Sequence, residues 1–351
     1  MKNSVANLPT SIEPKEKKMR RRKRDKVKPF NEYAVAKSGQ MQLFELVTGE
    51  DDYSQTVELY DFMPKYVWGK VERIEGRFLD RLERQFECRG VRYTLKIDPA
   101  KTEDADGTVR DYYPGKREDL VEDALRKIMA DGQGVHLDDG VGVAFTLYQL
   151  QQELKQRGHT YSYDQLKQAI QILFGTDIHL SNDKGTVQIA FSPIETYGFK
   201  GENEETQTFV KFSPLITLSI HQGNYRLINY EKVMAYQSVI ARQLHKRMSH
   251  HYTQASLTEP YQILLTTMIR DFGLTTQKQL RNNHAKVEEA ILEMKNQNVI
   301  LGTKAERIFE VRAKNKLVDV KFSIQPHPEF IGEVRKANAR VNKIKIALNN
   351  T

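Results

Sequence analysis

Between residues 278 and 286 the chain gathers Lys278, Arg281, Asn282, Ala285 and Lys286. On a helix these share the face away from Leu280, Val287 and Ile291. Side chains of these types can read the edge of a base. A guanidinium offers paired donors that match guanine, and a carboxamide offers a donor and an acceptor that match adenine. Glu288, Glu289 and Glu293 fall in later turns, away from the first two turns, where phosphates would lie. A solvated helix face would have a similar composition, so placement in the fold has to decide between the two readings. Further along, the basic turn holding Lys314 and Lys316 adds two cations. An upstream segment offers Lys167, Gln168 and Gln171 beside Tyr163 and Gln165, with less positive charge and with Asp164 near the expected phosphates. Base reading, phosphate contact and a protein interface all suit that second segment.

These side chains need helices to hold them. Thr276 and Gln279 form a capping box ahead of a helix over residues 278–298, in which Leu280, Val287, Ile291 and Met294 recur at buried spacing. Before it, residues 230–252 read as one long helix with Val233, Tyr236, Ile240 and Leu244 inward. Residues 258–273 read as a second helix, with Pro260 near its start and Gly273 at its end. Strands follow at VILG, RIFEVRA and LVDVKFSI, the basic turn lies between the last two as a wing, and an amphipathic basic helix comes after them.

The same order occurs upstream. A helix over 117–130 places Leu120, Ala124, Leu125 and Ile128 on one face, and a strand follows at 141–145. Thr146 caps a helix with Leu147, Leu150 and Leu154 inward, and a box of Ser162 and Gln165 opens the next, with Leu166, Ile170 and Leu173 inward. DIHL and TVQIAF then read as a hairpin around SNDKG. Helix, strand, helix, turn, helix, hairpin is the winged-helix order. The fold class expected is therefore α+β, with two tandem winged-helix domains over residues 58–228 and 229–351. Ile74, Phe78 and Leu82 are spaced as in a further helix that would carry Cys88. Residues 92–97 alternate as a strand, and 101–115 read as a polar surface loop.

A chain of 351 residues accommodates two such domains. The net charge of +8 with 28% charged residues predicts a polyanionic partner, either nucleic acid or an acidic membrane surface. No apolar run is long enough to span a bilayer and the N-terminus lacks the apolar core of a secretory signal, which predicts a cytoplasmic protein without a membrane partner. Residues 1–57 are polar and carry KEKKMRRRKRDKVK, a composition expected of a disordered basic arm. Such an arm could contact phosphates or merely solubilise the protein. Cys88 is the only cysteine, so neither an internal disulfide nor a cysteine-clustered zinc site is possible.

No GxxxxGK[ST] phosphate cradle is present, and no His-x-His pair accompanies a downstream tyrosine. His250 and His251 are adjacent and would point in different directions on a helix, so they read as helix-surface residues and not as a metal pair. The carboxylates read as surface charge. Neither a cofactor, a metal nor an enzymatic activity is expected.

The segments ELYDFMPKYVW (58–68), RYTLKIDPA (92–100), REDLVEDALRKIMADG (117–132), VAFTLYQLQQEL (143–154) and YRLINYEKVMAYQSVIARQLHKRMS (225–249) resemble iteron-binding plasmid replication initiators of the RepA and TrfA type. The resemblance runs from about residue 58 to residue 315. It implies that the second winged helix reads repeated origin sequences in double-stranded DNA, with Arg281 and Asn282 in the reading position. The first would add backbone contacts and a dimer interface. It further implies a homodimer in equilibrium with monomer, repression of the protein's own gene, opening of adjacent AT-rich duplex, and recruitment of the host replicative helicase or its loader. A dimeric winged-helix transcriptional repressor and a protein-interaction scaffold are the alternatives. Residues 40–44, QMQLF, are similar to the peptide that docks on the bacterial sliding clamp. Gln40 would bond at the pocket rim and Leu43 and Phe44 would fill it, unless those two pack on the neighbouring domain instead.

Overall fold

The computed structural model describes residues 53–56, 58–104, 106–137, 140–185, 188–201, 206–221, 226–274, 280–310 and 316–349. The clamp-like peptide, most of the basic arm, the Thr276–Gln279 box, Lys278 and Lys314 lie outside them. So do the side chains of Arg281 and Lys316.

The described elements begin with β1 (Tyr53–Thr56) and α1 (Glu58–Phe62), followed by the hairpins β2 (Leu82–Cys88) with β3 (Val91–Asp98) and β4 (Ala100–Glu103) with β5 (Val109–Tyr112). Next come α2 (Lys116–Ile128), a π-helical turn at Met129–Gln133, β6 (Gly134–Leu137) and β7 (Gly140–Thr146). Then follow α3 (Leu147–Gln156), α4 (Tyr163–Gly175), β8 (Asp177–Asn182), β9 (Gln188–Phe191), β10 (Ile194–Lys200) and β11 (Gln207–Phe212). The segment α5 (Pro214–His221), β12 (Arg226–Asn229) and α6 (Tyr230–Ala235) leads to α7 (Val239–His251). The last elements are β13 (Tyr261–Leu264), α8 (Leu265–Asp271), α9 (Leu280–Asn296), β14 (Ile300–Glu310), β15 (Lys316–Pro326) and α10 (Pro328–Asn349).

Two cores form. One gathers residues from Tyr60 to Met234, the other from Tyr236 to Val334. In the second, β13 lies between the first two helices in sequence and pairs with β15, which pairs with β14. In the first, β7 pairs with β11, which pairs with β10. Both sheets thus join the lone strand to the far strand of the hairpin, which makes each core a winged-helix unit. Gly142 marks how tightly the first sheet closes, because a Cβ there would lie 2.6 Å from the Val210 carbonyl oxygen.

The local signals behave as expected. Thr146 and Ser162 accept the amides of Gln149 and Gln165, whose side chains return the bond. The predicted inner residues of α2, α3 and α4 are buried.

Several expectations need correction. The hairpin DIHL/TVQIAF forms as β8 and β9, but it joins the sheet β2-β3-β8-β9 and is not the wing. Its Ile178 and Leu180 lie opposite Ile97 and Leu95, and all four are buried. No helix forms over residues 71–88. Ile74 and Phe78 make an isolated bridge around a turn with Glu75 and Gly76 at positive φ, and both apolar side chains stay exposed. Cys88 therefore sits in a strand, buried, with its thiol pushed up to about 12 by burial. The expected loop at 101–115 contains a hairpin, turned at Gly107 with φ 74 and burying Thr102 and Asp111. The long helix breaks at Tyr236, whose backbone is extended, and Ser238 caps α7 anew through the Ala241 amide. Residues 261–264 are strand, not helix, because they complete the edge of the second sheet.

Candidate nucleic-acid interface

The helix α9 lies third in the second unit. Asn283, Val287, Ala290, Ile291 and Met294 face its core, while Asn282, Ala285, Lys286 and Glu289 are exposed along the opposite side. That division follows the helical repeat: the buried positions recur every three or four residues and leave one open stripe. Asn282, Ala285 and Lys286 share that stripe, as the sequence predicted. Arg281 lies in the same helix. Glu293, read from sequence only as a charge kept away from phosphates, has a structural task. Its carboxylate accepts the amides of Gln237, at 2.9 Å, and Ser238, at 3.0 Å, just before α7, whose free N–H groups favour negative charge.

The third helix of the first unit is spent differently. Lys167, Gln168 and Gln171 are half-buried. Gln168 donates its amide to Asp104 at 2.9 Å and accepts from Arg117 at 3.0 Å. The strand β4 packs along α4, with Ala100 3.1 Å from where a Cβ on Gly175 would be. A base edge would have to displace both partners of Gln168.

Between the units lies a buried charge cluster that the sequence reading placed on the surface. Arg242 of α7 bonds Asp119 at 3.0 Å and Asp123 at 2.7 Å, both on α2. Lys246, one turn on, reaches Asp123 at 2.7 Å. Arg126 binds Asp61 at 2.8 Å and Glu122 at 2.7 Å, and Tyr66 donates to the other Glu122 oxygen. Burial would raise the carboxyl of Asp61, yet Arg126, with His250 3.5 Å away and Lys246 nearby, holds it well below its usual range. Asp119 behaves likewise: burial opposes its charge, and Arg242 with Lys246 prevail. His250 is buried with its ring edge-on to Phe62, so it is not a surface histidine. A signal for this cluster was present in the sequence. Asp119 and Asp123, like Arg242 and Lys246, are spaced to share a helix face.

Two further groupings involve polar side chains. Asp98, Asp177 and His179 bring ligand-type atoms within 4.8 Å of one another on β3 and β8, but Arg81 already binds both Asp98 oxygens at 2.6 Å. A cleft of about 580 Å³ is rimmed by Lys70, Arg73, Lys116 and Arg117 beside Tyr112 and Tyr113. Among the described residues, no helix is long and apolar enough to cross a membrane.

The fold and the site thus define a tandem winged-helix protein whose second unit presents an open third helix. No family model matches the chain, and no curated protein matches it. Among solved structures it is similar to a selenomethionine derivative of domains 2 and 3 of RctB, with 10% identity over 70% of this chain and 91% of that one and a TM-score of 0.45. A second structure of RctB domains 2-3 is 13% identical over 74% of this chain and 95% of that one, with a TM-score of 0.41. The Pi initiator protein in complex with iteron DNA is 14% identical over 60% of this chain and 91% of that one, with a TM-score of 0.43.

Proposed function

We propose that this protein initiates replication of a bacterial plasmid by binding repeated sequences in its origin. The observation that carries the reading is α9: its outer stripe of Asn282, Ala285 and Lys286 stands open while its inner stripe is anchored in a winged-helix core. In helix-turn-helix proteins the third helix enters the major groove and its first turns meet the bases. The sequence resemblance to iteron-binding initiators agrees with this. Residues 229–351 then read the origin, aided by Lys314 and Lys316 of the wing, and residues 58–228 contact the DNA backbone and carry the dimer interface. The mechanism is binding energy and not bond chemistry. Opening of AT-rich duplex, recruitment of helicase or its loader, docking of Gln40, Leu43 and Phe44 on the clamp, and repression of the protein's own gene complete the proposal.

Gel shifts against DNA flanking the gene should give a specific complex whose affinity falls with salt at a log-log slope of roughly −0.9 per phosphate contacted. Lack of any salt-sensitive specific complex would favour an interaction scaffold. A replicon test separates initiator from repressor: the gene and its flanking repeats should sustain a plasmid, and a repressor would bind without doing so.

A further inference from the structure

The turn that leads into α9 is held from outside its own unit. Phe272 and Gly273 end α8, and carbonyls at a helix end have no partner within the helix. Both are met by side chains from the first unit. Trp68 donates its indole N–H to the Phe272 oxygen at 2.6 Å. Arg84 of β2 donates from Nη2 to the Gly273 oxygen at 3.3 Å, while its Nη1 donates to the carbonyls of Tyr66, at 2.7 Å, and Pro64. One guanidinium therefore ties the loop carrying Trp68 to the turn ahead of α9. The approach is close enough to dictate the residue at the turn. Gly273 has φ +65, and a Cβ there would lie 2.5 Å from Arg84 Nη1 and 3.2 Å from the Pro64 Cβ. Beside this contact, Arg270 of α8 faces Glu87 of β2 at 3.6 Å.

We propose that Trp68 and Arg84 are positioning residues for DNA reading: by fixing the turn at Phe272 and Gly273 they set the angle at which α9 meets the groove. This rests on the assignment of α9 as the reading helix. A base-edge hydrogen bond weakens steeply as its angle departs from linear, whereas long cationic side chains can follow a phosphate through a small tilt. Loosening the turn should therefore cost specific binding and leave non-specific binding alone.

The test is Trp68→Phe, which removes the indole donor and keeps an aromatic ring, with Arg84→Gln as an independent second variant. Affinity is measured for origin-repeat DNA and for unrelated duplex over a salt series, with urea unfolding to confirm that each variant is folded. Trp68→Phe should lose about 3- to 10-fold on repeat DNA, the loss of one net hydrogen bond. It should lose nothing on unrelated duplex, and its salt slope should be unchanged. Equal losses on both DNAs, or no loss on either, overturn the proposal. If Arg84→Gln does not fold, Trp68→Phe alone decides. Wild-type protein separates the two levels of inference. If it forms no specific complex, the DNA-reading assignment fails and takes this one with it; if it binds repeats and Trp68→Phe matches it, only the positioning role fails.

Discussion

The two winged-helix units share a strand order and differ in what they do with the third helix. In the first, α4 has β4 against it and Gln168 engaged by Asp104 and Arg117. In the second, α9 keeps Asn282, Ala285 and Lys286 exposed. The same topology can therefore give its outer helix surface to internal packing or leave it to a ligand. What tips the choice is the added hairpin β4–β5, for which the second unit has no counterpart among the described residues. The first helices of the units, α2 and α7, meet each other through buried ion pairs, so the covered unit acts as a mount for the open one.

The comparison can be broken most severely at that mount. Arg242→Ala leaves Asp119 and Asp123 buried with only Lys246 as cation partner, and should cost about 3–5 kcal/mol in urea unfolding. A loss below about 1 kcal/mol would show that water enters the cluster freely. Next comes the open helix. Asn282→Ala, and Arg281→Ala beside it, should each cost about 1–3 kcal/mol on repeat DNA and relax one base position, without lowering stability by more than about 0.5 kcal/mol. Lys286→Ala should instead weaken all duplexes alike and reduce the salt slope by about 1.

Acid should weaken the second unit through His245, whose pKa burial lowers to about 3 from an ordinary 6.5. The unfolded chain takes up a proton on this side chain near pH 6.5 while the folded chain does not. Its stabilising contribution is therefore complete above pH 6.5 and lost as pH falls toward 3. Between pH 6.5 and 5 the loss should be on the order of 2 kcal/mol, and His245→Gln should flatten that part of the stability profile. The Tyr236 hydroxyl lies 3.1 Å from His245 Nδ1, a hydrogen bond that a neutral ring can make as donor or acceptor. The smallest effect belongs to the covered helix. Gln168→Ala should cost about 1 kcal/mol of stability and leave base preference unchanged; a change in base preference would mean that the hairpin lifts off α4 when DNA binds.

How much of this was legible depended on how local each cause is. The caps at Thr146 and Ser162 act within three residues and were read correctly. So were the inner stripes of α3, α4 and α9, because a helix repeats every turn. The helix proposed through Ile74, Phe78 and Leu82 failed because spacing of four residues also fits the two ends of a turn followed by a strand. The break at Tyr236 was hidden since Val233, Tyr236 and Ile240 are all buried despite the change of direction. Strand β13 and the true wing of the first unit depend on partners far along the chain, which periodicity cannot reveal. The buried carboxylates were misread for the same reason: Asp123 meets Arg242 across 119 residues. For the site, the stripe at Asn282, Ala285 and Lys286 was legible, while the covering of α4 required knowing that residues 100–112 form a hairpin.

Trp68 is the only tryptophan in the chain, and its indole is bonded to Phe272, the residue that caps the end of α8. The contact thus puts a natural optical reporter where the two units meet. Its emission colour and quenching should register any motion of that turn in real time, so a stopped-flow trace could show whether the turn moves when duplex is added.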